Sequence, residues 1–131
     1  PVAFDGAHTH FAGIDAHPRP TRRVPVVVGG RTPGAHRRTI EQGDGWYGFF
    51  LTPEQAAEQV DALNAAARRF DRPAELGPIE ISITPDAPVT ADTLRAYAEA
   101  GVHRLIVNTA GLRSEDDVAT FLARQAEVVL G

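Results

Sequence analysis

From Val24 onward, short apolar runs alternate with stretches of helical periodicity. Pro25 to Val28 is a β-branched run closed by Gly29 and Gly30, the pattern of a buried parallel strand ending in a tight loop. Thr32-Pro33 has the form of an N-cap followed by proline in the first turn, and opens a helix to about Gln42 that stops at Gly43. Asp44 to Tyr47 is a short second strand. Thr52 and Gln55 have capping-box spacing, and the long helix they open places Ala56, Val60, Leu63, Ala67 and Phe70 on one stripe. Ile79 to Thr84 alternates strictly, with Ile79, Ile81 and Ile83 on one face and Glu80, Ser82 and Thr84 on the other, as a third strand requires. Thr90 caps a helix with Leu94, Tyr97 and Ala98 inward, which ends at Gly101. His103 to Asn108 is a fourth strand, and Ser114 caps a last helix carrying Val118, Phe121, Leu122 and Val129.

The order β-α repeated four times over residues 24–131 predicts an α/β domain with a parallel sheet. Residues 1–23 are rich in His, Gly and Pro without a clear period, and are expected to form an irregular lead-in across the end of that sheet. Four βα units suit either a small doubly wound sheet or half of a (β/α)₈ barrel. In a barrel the Ile face of the third strand meets the helices and Glu80, Ser82 and Thr84 point inward; in an open sheet the polar face is a solvated one.

Length and composition narrow the field. The 131 residues fall well below the roughly 250 of a complete (β/α)₈ barrel. With 43% hydrophobic and 23% charged residues the chain is globular, and a net charge of -4 gives no general attraction to nucleic acid or anionic lipid. Without Cys there is no disulfide framework, thiolate nucleophile or zinc-thiolate site, and no basic, apolar leader is present, so the cytoplasm is the expected location. All 13 basic residues are Arg, which removes lysine Schiff-base chemistry and the Walker lysine; a bound phosphate has to be held by backbone or Arg. Met is absent even at position 1, so the chain is expected to be a processed product or a segment of a longer one.

The strongest candidate site is Gly29, Gly30, Arg31, Thr32, Pro33, Gly34 and Ala35. Two glycines end a strand, and the following helix points its N–H groups and positive end at the same place, the outline of a phosphate cradle or of an ordinary glycine turn. Trp46, at the C-terminal end of the second strand, is a candidate wall of a cofactor or substrate pocket or a buried space-filler. Asn108, Thr109 and Gly111 end the last strand on the same side, while Arg37 and Arg38 suit a solvated helix face. His8 and His10, preceded by Asp5, have the spacing of a metal-dependent hydrolase pair. His17, His36 and His103 supply no matching third ligand, so no metal is assigned.

Several segments together resemble a known family: Pro18-Arg-Pro, Val24-Pro-Val-Val-Val-Gly-Gly-Arg-Thr-Pro-Gly-Ala-His-Arg-Arg38, Gly43-Asp-Gly-Trp46, Thr52-Pro-Glu-Gln55 and Tyr97-Ala-Glu-Ala-Gly-Val-His-Arg-Leu-Ile-Val107. In order and spacing they are similar to the luciferase-like flavin and deazaflavin oxidoreductases, most of all the branch that uses coenzyme F420. The resemblance implies a TIM barrel of which this chain carries strands five to eight, a (β/α)₄ C-terminal half. It implies coenzyme F420 as cofactor, with FMN the alternative, held by its phosphate at Gly29 to Ala35, and hydride transfer to or from a small organic substrate. The family's N-terminal half, which supplies much of the substrate pocket, has no counterpart here. No catalytic acid or base is assigned, and the half barrel is expected to pair with itself or with a separate N-terminal half. A non-catalytic binding or assembly module is the alternative.

Overall fold

The computed structural model describes residues 1–130. Its main body is a four-stranded parallel sheet in the order β3 (Val27–Gly29), β4 (Gly45–Leu51), β5 (Glu80–Pro85), β6 (Arg104–Leu105). Each strand leads into a helix: α1 (Pro33–Gln42), α2 (Pro53–Ala67), α3 (Ala91–Glu99) and α4 (Glu115–Leu130). Sequential order without a switch point is the (β/α)₄ half of a TIM barrel, not a doubly wound sheet.

Local chemistry explains the helix starts. Thr32 accepts the Ala35 N–H, and Thr52 and Gln55 bond reciprocally in a full capping box. Thr90 does the same with Thr93. The core lies between sheet and helices, where Trp46, Leu51, Ile81 and Ile83 meet Ala56, Leu63 and Tyr97. Ile81 and Ile83 therefore face the helices, and Ser82 and Thr84 occupy the opposite, barrel-interior face. There the Tyr47 hydroxyl bonds Thr84 Oγ1 at 2.7 Å and Glu80 pairs with Arg104 at 2.9 Å. Gly48 is required by close approach, because a Cβ there would lie 2.8 Å from both the Trp46 ring and Ile83. No helix among the described residues is long and apolar enough to cross a membrane.

Three expectations change. Residues 1–23 are not wholly irregular: β1 (Val2–Asp5) and β2 (His10–Ile14) form an antiparallel hairpin, closed by a Gly6 N–H to Thr9 carbonyl bond. Phe4 and Phe11 stack across it, so cross-strand pairing supplies the order that the residues' own periodicity does not. The second strand extends to Leu51 instead of ending at Tyr47, since its neighbour β5 pairs with it along that whole length. The fourth strand is shorter than His103 to Asn108, although the His103 and Ile106 N–H groups bond the Ile81 and Ile83 carbonyls on either side of it. Having a neighbour on one side only, β6 loses its ladder early. With β3 it leaves the half barrel open at both edges.

Candidate functional site

The C-terminal end of β3 and the start of α1 form one exposed loop. Gly29, Gly30, Arg31, Thr32 and Gly34 are all exposed. Gly30 has φ of +109°, and a Cβ on it would come 3.1 Å from that of Ala35, so the turn requires glycine. Pro33 has no N–H, the Ala35 N–H is taken by Thr32 Oγ1 at 3.2 Å, and the Gly34 N–H has no acceptor within the helix. Arg31 lies beside this end and reaches the Phe49 carbonyl at 3.4 Å. The first turn of α1 holds no acidic residue, whereas α2 has Glu54, α3 has Asp92 and α4 has Glu115, Asp116 and Asp117 there. An anion at α1 would meet a guanidinium and a helix end with no competing carboxylate of its own.

Two of the proposed contacts prove to be supports. Ala35 is only 2% exposed, and with its N–H already bonded it shapes the underside of the loop. Trp46 is completely buried on the helix side of β4, because its register partner Ile81 also faces the core; it lines no open wall. Its indole N–H donates to the Gly30 carbonyl at 2.8 Å, which pins the loop from beneath. His36, also buried, stands edge-on to Trp46 at 6.2 Å and shares a 3.2 Å bond with Gln59, a role that its isolated position in the sequence did not signal.

The opposite end of α1 is held by a residue that sequence reasoning passed over. Arg72 donates to the Thr39, Ile40 and Gly43 carbonyls at 3.1, 3.1 and 2.8 Å, and to Leu76 and Gly77 at 3.3 and 2.6 Å. Burial draws its pKa downward, against the pull of Asp44. Asp44 in turn accepts the Val26 N–H at 2.6 Å and pairs with Arg23. The Arg23 hydrogen bond is the main reason its carboxyl is held below the ordinary value of 3.8.

The remaining candidates are apart from the loop. Asn108 closes an Asx turn on the Ala110 N–H at 2.9 Å and lines a cavity of about 340 Å³ at the C-terminal ends of β5 and β6. Arg37 pairs with Glu41 at 2.9 Å and covers the Phe70 ring. His10 bonds Asp5 within the hairpin. Among the described residues no three His, Cys, Asp or Glu side chains gather as metal ligands.

The family model described as luciferase-like monooxygenase matches residues 1–128. No curated protein matches the chain.

Proposed function

The chain belongs to the luciferase-like monooxygenase family, and on that membership we propose that it is the cofactor-binding half of a coenzyme F420-dependent oxidoreductase, with FMN as the alternative cofactor. The observation that carries this reading is the open, acid-free start of α1 with Arg31 beside it. Gly29, Gly30, Arg31, Thr32 and Gly34 would hold the phosphate: glycine for close approach, the Gly34 N–H and helix end for charge, and the Arg31 fork for a bidentate contact. Ala35 and Trp46 would keep the loop in shape. When bound, the deazaflavin or flavin supplies hydride transfer to or from a small organic substrate. The protein's own part is to bind and orient it; no side chain is nominated as acid or base. The same reading places this Cys-free chain in the cytoplasm.

A barrel interior with both edges open would be completed by a second half, either another copy of this chain or a separate N-terminal half. Val27, Phe49 and Ile106, each more than 40% exposed, support that pairing. The direct test is equilibrium titration of the chain with coenzyme F420 and with FMN, followed by the fluorescence of Trp46, its single tryptophan. Saturable micromolar binding is the expected result, tighter for F420, and its absence at concentrations that populate a dimer by sedimentation would overturn the reading.

A further inference from the structure

On the helix side of the sheet, away from the barrel interior, α1 and α2 border a cavity of about 270 Å³. Ala62, Ala65 and Ala66 of α2 give it a flat apolar wall, and the Phe70 ring stands beside them. Two nitrogen-bearing side chains reach it, His36 from α1 and Arg69 from just beyond α2, and no carboxylate lines it.

His36 is only 5% exposed, and its Nε2 bonds Gln59 Oε1 at 3.2 Å. A carboxamide oxygen only accepts, so Nε2 is the donor and Nδ1 of the neutral ring keeps a free lone pair. Nδ1 has no hydrogen-bond partner among the described residues, yet no buried side-chain nitrogen or oxygen among them is sealed off without one. Nδ1 is therefore open, and it opens at the cavity that His36 lines. A buried ring with one unused acceptor turned to a cavity offers a hydrogen bond to a ligand's O–H.

Arg69 offers the charge. Its exposed guanidinium stands 5.7 Å from the Phe70 ring centroid and has no carboxylate partner among the described residues. Arg37, over the same ring, is paired with Glu41, so Arg69 is the cation of the two that is free for an anion from outside. The volume lies just below the roughly 300 Å³ at which pockets for drug-sized molecules begin, so the occupant is about one ring in size. A flat ring matches the alanine wall and can meet Phe70 edge to face.

We infer that this cavity is a second small-molecule site, separate from the glycine loop, and that it takes a hydroxylated aromatic carboxylate. The hydroxyl donates to His36 Nδ1, the ring lies on the alanines beside Phe70, and the carboxylate pairs with Arg69. The assignment does not depend on what the glycine loop binds.

Calorimetric titration of the full chain with 4-hydroxybenzoate is the test. Saturable binding with Kd below about 1 mM is expected for a ligand of about ten heavy atoms. Benzoate, which lacks the hydroxyl, and the neutral methyl ester of 4-hydroxybenzoate should each bind about fivefold more weakly. Arg69→Gln should abolish the preference for acid over ester. His36→Gln, which can still reach Gln59 but has no acceptor at the Nδ1 position, should abolish the preference for 4-hydroxybenzoate over benzoate. Arg31→Ala should leave all three affinities within about twofold. No saturation by about 10 mM, or benzoate binding as tightly as 4-hydroxybenzoate, would overturn the inference. So would an unchanged acid preference in Arg69→Gln, or a loss in Arg31→Ala that put the acid at the glycine loop. Arg69 is exposed, so its variant keeps the fold and decides the matter even where the buried His36 change does not fold.

Discussion

Replacing Arg72 with Ala removes the side chain that ties the C-terminus of α1 to the turn at Ala74–Leu76. The helix has no basic residue in its own last turn, so Arg72, 29 residues beyond Gly43, supplies the charge that its last carbonyls attract. Five acceptors do not mean five full hydrogen bonds. Arg72 is half-buried, water would reach part of the vacated space, and one nitrogen serves three carbonyls. The bonds to Gly77 at 2.6 Å and Gly43 at 2.8 Å are the strong ones. At roughly 1.5 kcal/mol each for a charged donor, the loss is about 3 kcal/mol, a substantial part of the 5–15 typical of a domain. For a chain of this length that corresponds to a fall of about 10 °C in melting temperature. Urea unfolding, followed by far-ultraviolet circular dichroism and by Trp46 fluorescence, measures it. Arg72→Lys should recover less than half, because one ammonium cannot fork between the α1 end and the turn. A loss below about 1 kcal/mol, or full rescue by Lys, would refute the assignment.

Trp46→Phe should cost about 2–3 kcal/mol, roughly 1 for the bond to the Gly30 carbonyl and the rest for the space the smaller ring leaves, measured by urea unfolding followed by circular dichroism alone, since the variant has no tryptophan; a loss under 0.5 would mean the loop does not depend on that bond. Arg31→Ala should weaken cofactor binding about tenfold with melting temperature unchanged, while Gly30→Val, which forces a branched side chain onto φ +109° and into Ala35, should lower both affinity and stability. Tyr97 is pushed up to about 12, chiefly by burial and then by Asp86 and Glu54. A phenol whose folded pKa is raised stabilises the fold below its ordinary value of 10.0 and loses that contribution as pH climbs toward 12, so Tyr97→Phe should flatten the alkaline loss of stability over that window. The chain has two tyrosines, so the tyrosinate absorbance of the wild type minus that of Tyr97→Phe isolates Tyr97 from Tyr47, and a Tyr97 signal complete by about pH 10 would contradict it.

What the sequence reveals of this molecule divides by range. The caps at Thr32, Thr52 and Thr90 depend on residues three apart, and each is legible because the donor, acceptor and helix start lie in one short string. The Ile79 to Thr84 alternation states which face meets the helices, and the structure agrees. The glycine loop is visible for the same reason: its conformational demand is local. Its supports are not. Trp46 belongs to the core and not to a ligand wall because of its register with Ile81, and register is a property of two strands. Arg72 reads as one more surface cation until α1 and the 74–76 turn are brought together around it.

The bulge at Phe50 shows where a signal existed and was not used. Phe49-Phe50-Leu51 after Gly48 breaks the two-residue period at the point where Trp46 to Gly48 would have continued it, and three successive apolar residues cannot all face one core from a regular strand. Either the strand ends or it carries an extra residue, and the burial of Leu51 beside exposed Phe49 and Phe50 shows that the second has happened. A bulge at that place costs backbone strain and exposes two rings at the C-terminal end of the strand, neither of which helps the fold. α1 is braced at both ends instead, by Trp46 beneath the Gly30 loop and by Arg72 at its last turn, and these bonds hold a helix whose first turn carries no acidic residue of its own.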